Sequence, residues 1–167
     1  MNRRSPYRNF VSYIDKSRIY YEAHGYKQPY TWACHGSVPF TPLAKPLSRC
    51  RVGLATTASR VDLGADVESL MKERSCYAAQ SEPQPERLFT DHLSWDKEAT
   101  HTSDVESFLP LKRLSEYARQ GRIGAASPRF YGVPTDYSQG RTNQKHAPRI
   151  LELAREDGLD AILLSAL

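Results

Sequence analysis

The chain is 167 residues long with 40% hydrophobic and 25% charged residues, a composition in the ordinary globular range that predicts one compact domain. Its 23 basic and 19 acidic residues give a formal net charge of +4 and are interspersed along the chain. Since no RNP pattern, zinc-finger spacing or continuous basic stripe accompanies this charge, the sequence argues against a nucleic-acid-binding protein.

The termini and the cysteines indicate the compartment. The N-terminal MNRRSPYRNF is followed by charged and aromatic residues where a secretory signal needs an apolar run. The longest apolar segment, residues 161–167, is far shorter than the roughly 20 residues that a membrane helix requires. Cys34, Cys50 and Cys76 are widely spaced and suit neither a disulfide framework nor a zinc ribbon. We therefore expect a soluble, cytoplasmic protein without a membrane span.

The N-terminal part, residues 1–50, is predicted to precede a sheet-and-helix core within one domain of residues 1–167. Residues 6–25 place apolar and aromatic side chains every three or four positions, which predicts an amphipathic helix that ends at Gly25. Residues 29–47 contain four prolines, which favour an extended, turn-rich crossing segment.

The first half of the core is predicted to contain two strands. Residues 51–57, RVGLATT, are typical of a buried strand that leads into an active-site loop. Residues 72–86 are polar and contain proline, which indicates a surface excursion. Leu88–Leu93 is predicted as the next strand, and a polar segment follows it.

Two helices are predicted in the second half. Asp104 or Ser107 caps the first, which carries Pro110 in its first turn and ends at Gly121. Residues 123–131 form a weaker strand candidate that Pro128 interrupts.

The last helix is predicted to begin at Thr142 or Asn143 and to end at Gly158. Its inward-facing residues are predicted to be Ile150, Leu151 and Ala154. A buried strand follows at residues 160–167. Because strands and helices alternate, we expect an α/β fold with a mostly parallel sheet flanked by helices in three layers, incomplete at the C-terminus.

The densest polar segment, residues 91–104, follows the second predicted strand. Ligands in open α/β sheets bind beyond the carboxyl ends of strands, so a site is expected here. His92 and His101 suit proton transfer, with carboxylates orienting them or holding a substrate ammonium group. The predicted catalytic residues are His101, Asp96 and Asp104, and the predicted substrate contacts in this segment are Lys97 and Thr100. The alternative is a solvated loop whose Asp and Thr residues cap the next helix.

A second polar cluster surrounds PRFYGVPTDYSQGRT, residues 128–142. Its members are Arg129, Tyr131, Tyr137, Arg141 and His146. Arg141 is predicted to contact the substrate, because an arginine holds a carboxylate through two parallel hydrogen bonds. The alternative is a loop shaped by proline and glycine, with aromatic residues packed beneath it.

Other kinds of site find little support in the sequence. Residues 92–104 include plausible metal ligands, but no paired spacing such as H-E-x-x-H accompanies them, so no metal site is predicted. Cys34 and Cys76 lack the surroundings that make a thiol reactive, and the strand edge at Cys50 is as consistent with burial as with reactivity. Nucleotide binding and serine hydrolysis lack their usual glycine-rich or G-x-S-x-G signatures.

Four stretches in order resemble one family over nearly the whole chain: PYTWA with VPFTPLAKPL, RVGLATTAS, SWDKEATHTSDVESFLPLKRLSEYARQGRIG, and PRFYGVPTDYS leading into APRILELAREDGLDAILLSAL. This order resembles the selenoprotein B subunits of glycine, betaine, sarcosine and D-proline reductases, particularly the short D-proline-reductase-like branch. The resemblance implies an oxidoreductase of amino-acid catabolism that cleaves a carbon–nitrogen bond reductively.

The resemblance also implies that a selenocysteine or cysteine, a second cysteine and another helix follow residue 167. In the family the selenolate attacks the carbon next to the substrate carboxylate, and a thiol resolves the selenoether. A pyruvoyl group on a partner subunit activates the substrate. We therefore expect a chain truncated before its nucleophile, as reading a UGA codon as a stop would produce. The alternative is a non-catalytic binding or scaffold protein that retains the fold.

Overall fold

A computed structural model of the protein describes residues 12–27, 36–38, 41–60, 68, 75–93, 95–136 and 138–167. The chain divides into two compact units, Met1–Pro39 and Phe40–Leu167. The first unit contains one described helix, and the second contains the sheet. The predicted organisation as one domain with a division at residue 50 stays a prediction.

Helix α1 spans Tyr13–Ala23 in the first unit. The backbone N–H of Asp15 donates to the hydroxyl of Ser12 at 3.2 Å, which satisfies one of the free donors at the helix start. After the helix, Gly25 has a φ of 77°, a left-handed conformation that glycine adopts without strain. The predicted helix is confirmed over these residues, and its predicted first part, residues 6–11, lies outside the described ranges.

The proline-rich segment is described only in part. Residues 41–46 form neither helix nor strand, as predicted, and a 3₁₀ turn at Leu47–Arg49 then leads into the sheet. Residues 28–35 and 39–40 lie outside the described ranges.

Five strands form a mixed, mostly parallel sheet. They are β1 (Arg51–Thr56), β2 (Tyr77–Gln80), β3 (Ala125–Ala126), β4 (Arg129–Gly132) and β5 (Ala161–Ser165). β1 pairs in parallel with β3, β4 and β5, and β2 pairs antiparallel with β4. The predicted α/β fold with a mostly parallel sheet is confirmed, and β3 and β4 lie on either side of Pro128.

β1 is the central strand. The carbonyl oxygen of Val52 accepts from the backbone N–H of Ser127 at 2.8 Å, whereas that of Arg51 accepts from Asp160 at 2.9 Å. Successive carbonyls of a strand point to opposite neighbours, so β3 and β4 lie on one side of β1 and β5 lies on the other. The residues that follow three parallel strands therefore meet at one edge of the sheet.

Helices cover both faces of this sheet. Helix α2 spans Leu111–Arg119, while α3 (Gln139–Arg141), a π-helical stretch (Thr142–His146) and α4 (Ala147–Glu156) follow one another without a break. Gly121 and Gly158, with φ of 70° and 64°, follow α2 and α4 as predicted.

The core consists of two clusters. Val52, Leu54 and Phe130 pack in one cluster with residues of α2, whereas Ala55 and Tyr131 pack in the other with Leu153 of α4. Neighbouring residues of a strand point to opposite faces, so α2 and α4 lie on opposite faces of the sheet. The predicted three-layer arrangement follows from this packing.

Two predictions for the first half of the core are wrong. Tyr77–Gln80, expected in a surface excursion, forms β2, because pairing with β4 outweighs the weak local signal of YAAQ. Leu88–Leu93 is not a strand: Phe89 forms an isolated bridge with Ser59, and a turn follows. Leu88, Phe89 and Leu93 are buried. Their apolar character therefore indicates burial in the core and not membership of a strand.

Three details of the second half are also corrected. The helix predicted to begin at residue 142 or 143 begins at Gln139, and Leu151, predicted to face inward, is 49% exposed. β5 was predicted to be buried, but Leu163 and Leu164 are 56% and 65% exposed. β1 is its partner strand within the described residues, so β5 is an edge strand there.

Candidate functional site

The carboxyl ends of β1, β4 and β5 form one edge of the sheet. Thr56 is in register with both Gly132 and Ser165, so the three strands end at the same level. Ligands of open α/β sheets bind beyond this edge. Two polar segments lie here, which we name the 86–104 segment and the 133–146 segment.

The two segments reach the edge differently. The 133–146 segment continues directly from β4. The 86–104 segment is attached to the chain that follows β1, because Ser59 and Phe89 exchange two backbone hydrogen bonds of 2.9 and 2.8 Å. Residues 91–104 therefore lie beyond the end of a strand, as predicted. That strand is β1, and residues 88–93 do not form one.

The 86–104 segment lines a cavity of about 420 Å³ that is open to solvent. Trp95 and His101 line it together with Thr90 and Thr102, whose hydroxyls are 2.7 Å apart. The indole N–H of Trp95 donates to the carbonyl oxygen of Thr90 at 3.0 Å, which holds the ring against the wall. The cavity thus combines an aromatic surface and an imidazole with the charged residues Glu86, Arg87 and Asp91, which also line it.

The three predicted catalytic residues take different positions. His101 lines the cavity with an exposed side chain, as a proton-transfer residue would. One carboxylate oxygen of Asp96 accepts from the backbone N–H groups of Glu98 and Ala99, both at 3.0 Å. The N–H of Ala99 and that of Glu98 lower the pKa of Asp96. Asp96 therefore shapes its own turn and does not line the cavity.

Asp104 also serves the backbone. Its carboxylate accepts from the N–H of Glu106 at 3.0 Å and caps the 3₁₀ turn Val105–Ser107. Glu106 caps α2 in its turn by accepting from the N–H groups of Lys112 and Arg113 at 2.8 and 3.2 Å. The alternative, a loop whose Asp and Thr residues cap the next helix, is met by Asp104 at the 3₁₀ turn, whereas Asp96 bonds within its own turn and α2 is capped by Glu106.

The predicted substrate contacts of this segment also make local contacts. The ammonium of Lys97 donates to the carbonyl oxygen of Leu93 at 3.2 Å and lies 5.4 Å from the centre of the Trp95 ring. The N–H of Thr100 donates to the carbonyl oxygen of Asp96 at 3.1 Å and closes the turn. Neither residue lines the cavity, so neither is placed to contact a ligand there directly.

Arg141, the remaining predicted substrate contact, lies in the 133–146 segment and is held by Asp136. Nε and Nη2 of Arg141 donate to the two carboxylate oxygens of Asp136 at 2.5 and 2.7 Å. The Asp136 side chain is 3% exposed and that of Arg141 is 60% exposed. The guanidinium and the N–H of Ser138 hold the pKa of Asp136 well below its usual range. Arg141 is thus oriented on one side and open to solvent on the other.

His146 is a buried polar residue of this segment. It is 5% exposed, and its Nδ1 has no hydrogen-bond partner among the described residues. It ends the π-helical stretch, a geometry that is frequent at functional sites. The thiol of Cys76 lies 3.7 Å from the carbonyl oxygen of His146, and burial raises the pKa of this thiol. Cys76 therefore stays a protonated thiol at neutral pH.

Arg129 and Tyr131 of the second predicted cluster belong to a structural network. Nε of Arg129 donates to Asp157 at 2.9 Å, and the Tyr131 hydroxyl donates to the same carboxylate. Burial and the bond to Asp157 raise the pKa of Tyr131 to about 12. These contacts tie β4 to the end of α4. Tyr137 lies outside the described residues.

Asp136, the partner of Arg141, is a candidate site residue that sequence reasoning missed. Its signal was present as an aspartate four residues after the end of β4, with an arginine five positions further on. Reading it required knowing that Arg141, in α3, pairs with Asp136.

No known family model, curated protein or solved structure matches the chain. Within the described ranges, no three or more His, Cys, Asp or Glu residues are grouped so as to hold a metal ion. The helices in the described part of the chain include none with the length and apolar character to cross a membrane.

Proposed function

We propose that the chain is the front part of a selenoprotein B-like subunit of an amino-acid reductase. Its substrate is glycine, betaine, sarcosine, D-proline or a close relative, and a selenocysteine or cysteine downstream of Leu167 supplies the nucleophile. A partner subunit supplies the pyruvoyl group that activates the substrate. The resemblance of the ordered sequence stretches supplies the chemistry, and the geometry of the carboxyl edge supports it.

The observation that carries the proposal is the arrangement around Leu167. Its backbone N–H donates to the hydroxyl of Thr57 at 3.0 Å, at the edge that also carries the 86–104 and 133–146 segments. A nucleophile that follows closely after Leu167 would start from this edge. In open α/β sheets this is the edge at which ligands bind.

Two side chains of this chain receive roles in the proposal. Arg141 binds the substrate carboxylate with the N–H groups that Asp136 leaves unused, because a guanidinium has five donors and two face Asp136. His101 gives a proton to the departing nitrogen from the wall of its cavity. The other predicted site residues stabilise the conformation of the 86–104 segment and have no chemical role in the proposal: Asp96, Asp104, Lys97 and Thr100.

Thiols supply the two electrons that the proposed reductive cleavage consumes. The selenolate or thiolate bonds to the carbon next to the carboxylate while the carbon–nitrogen bond breaks, and the nitrogen keeps the electron pair and takes up a proton. A thiolate then bonds to the selenium or sulfur, and the released carbon takes the electron pair and a proton. The resulting bond between the two chalcogens is reduced by an external dithiol, which supplies the two electrons.

The test begins with the codons after the one for Leu167. We expect an in-frame UGA or cysteine codon followed by a helix-coding sequence. Expression of the extended gene in a host that inserts selenocysteine should give radioactive selenium in a product longer than 167 residues, whereas replacing UGA with UAA should remove the label. A terminator followed by unrelated sequence would contradict the enzyme assignment.

A non-catalytic binding or scaffold protein is the second candidate. The use of Asp96 and Asp104 as backbone caps favours it, because neither carboxylate is available in the cavity. The extended protein, mixed with the pyruvoyl subunit and a dithiol, distinguishes the two. Substrate-dependent release of ammonia or amine, or ring opening of D-proline, supports the reductase. Its absence together with a chain that ends at Leu167 supports the scaffold.

A further inference from the structure

A second cavity, of about 460 Å³, lies at the opposite edge of the sheet, where β1, β3 and β5 begin. Its wall includes Lys45, Ser48, Arg49, Arg51, Gly124 and Asp160. Neither the proposed reaction nor the residues of the carboxyl edge involve this cavity.

The cavity has an excess of positive charge. Lys45, Arg49 and Arg51 bring three positive charges and Asp160 brings one negative charge, which leaves a net charge of about +2 at neutral pH. The ammonium of Lys45 lies 2.8 Å from a carboxylate oxygen of Asp160, and the N–H of Arg51 donates to the same oxygen at 2.7 Å. Asp160 therefore orients this wall and neutralises only part of it.

The two arginines differ in how they are held. Nη1 of Arg51 donates to the carbonyl oxygen of Asp157 at 2.8 Å, so this guanidinium has a defined position. In the part of the chain that the structure describes, no hydrogen bond or ion pair of the Arg49 guanidinium is found. Arg49 can therefore bind an incoming anion without first breaking a contact, beside an arginine that is already in place.

We propose that this amino-edge cavity binds the dianion of a phosphate monoester. A phosphate monoester carries a charge of about −1.5 to −2 at neutral pH, which matches the net charge of the cavity. Arginine forms paired hydrogen bonds to phosphate oxygens, and Ser48 adds a hydroxyl donor. The same chemistry is offered by a small soluble phosphate and by a lipid headgroup, so the experiment separates these sources.

The 167-residue chain labelled with ¹⁵N is titrated with inorganic phosphate at constant ionic strength, with sodium chloride as the matched control. We expect saturable shifts of the backbone amides of Gly124 and Arg51 with phosphate and none with chloride. Shifts that do not saturate, or that map to other parts of the chain, would overturn the proposal.

Two variants sharpen the test. Arg49→Ala removes the unpaired guanidinium and should weaken phosphate binding about tenfold, and Arg49→Glu about a hundredfold. Arg119→Ala, which removes a positive charge at the exposed end of α2, should leave the affinity unchanged. An equal loss of phosphate affinity in Arg49→Ala and Arg119→Ala would show that only the net charge matters. That result would contradict the proposed site.

The source is assigned with glycerol 3-phosphate and with vesicles that contain phosphatidic acid. Binding of glycerol 3-phosphate without vesicle binding assigns a soluble ligand. Vesicle binding that Arg49→Ala abolishes assigns a headgroup. Binding of neither probe contradicts the proposal. Because these readouts need no reductase activity, their failure is distinct from failure of the proposed function.

Discussion

The two polar segments at the carboxyl edge of the sheet differ in the partners of their charged residues. In the 86–104 segment, Asp96, Asp104 and Lys97 bond to backbone groups at most four residues away in sequence. In the 133–146 segment, the Asp136 carboxylate is buried and holds the exposed guanidinium of Arg141. The predicted charged site residues of the 86–104 segment thus bond to its own backbone, although Glu86, Arg87 and Asp91 of the same segment line the cavity.

This difference shows what makes a polar residue available for chemistry. A carboxylate surrounded by free backbone N–H groups is stabilised by them and becomes a cap. A carboxylate that pairs with an arginine across a turn leaves the outer donors of that arginine free. The number of charged residues in a segment is therefore a poorer guide than the partners that the fold provides.

The strongest test of the comparison concerns the packing beneath the 133–146 segment. A Cβ at Gly132 would overlap the ring of Tyr77, whose hydroxyl donates to the carbonyl oxygen of Ala58 at 2.7 Å. Gly132→Ala should therefore lower the free energy of unfolding by about 3 kcal/mol, measured by urea denaturation. Gly140→Ala is the matched control, because its nearest neighbour lies 3.9 Å away. Equal costs for both variants would contradict the packing argument.

The next test asks whether the 86–104 segment contains any residue with a chemical role. His101→Ala in the extended protein should lower kcat about a hundredfold, because it removes a proton-transfer group from the cavity wall. The exposed side chain makes the unfolding free energy insensitive to the change. His24→Ala, an exposed histidine just after α1, is the control. Unchanged kinetics would remove His101 from the site.

The sequence predicted the parts of the fold that follow from local patterns. β1 was predicted correctly because a short apolar run is typical of a buried strand. The ends of α2 and α4 were predicted correctly because a glycine there adopts the left-handed conformation that ends a helix. β2 was missed because YAAQ becomes a strand only by pairing with β4, 49 or more residues away in sequence. Leu88–Leu93 was misread because burial and strand formation give the same apolar signal.

The site was predictable to a smaller extent. The roles predicted for Arg141 and His101 stay predictions, whereas the 86–104 segment does lie beyond the end of a strand, although that strand is β1. The roles of Asp96 and Asp104 depend on the backbone directions of single turns, which the sequence does not reveal. Asp136 needed the turn that brings it to Arg141.

A smaller effect is expected from a conservative change in the 133–146 segment. Arg141→Lys keeps the charge but loses the planar fork, so the side chain no longer pairs with Asp136 through two bonds and is not oriented toward the substrate. In the extended protein we expect KM to rise about tenfold with kcat little changed. Arg113→Lys, an exposed arginine paired with Glu116, is the control. A fall in kcat at constant KM would show that Arg141 does not bind the ground-state carboxylate.

The smallest expected effect is on how the free energy of unfolding depends on pH. Arg141 and the N–H of Ser138 lower the pKa of Asp136, whereas the N–H groups of Ala99 and Glu98 lower that of Asp96. A carboxylate whose pKa is lower in the folded state contributes stability above its unfolded pKa of about 3.9, and this contribution is lost as the pH falls through the folded value. The stability difference between wild type and Asp136→Asn should therefore be largest at neutral pH and shrink below about pH 3.9.

Salt separates the two carboxylates. The Asp136 contribution comes first from an ion pair with an exposed guanidinium, so added sodium chloride should reduce the effect of Asp136→Asn at neutral pH. The Asp96 contribution comes from neutral backbone donors within one turn, so the effect of Asp96→Asn should change less with salt. Urea denaturation of both variants at low and high salt measures this difference. Equal salt dependence would mean that Asp136, like Asp96, is held by its backbone contacts, and the contrast between the segments would be lost.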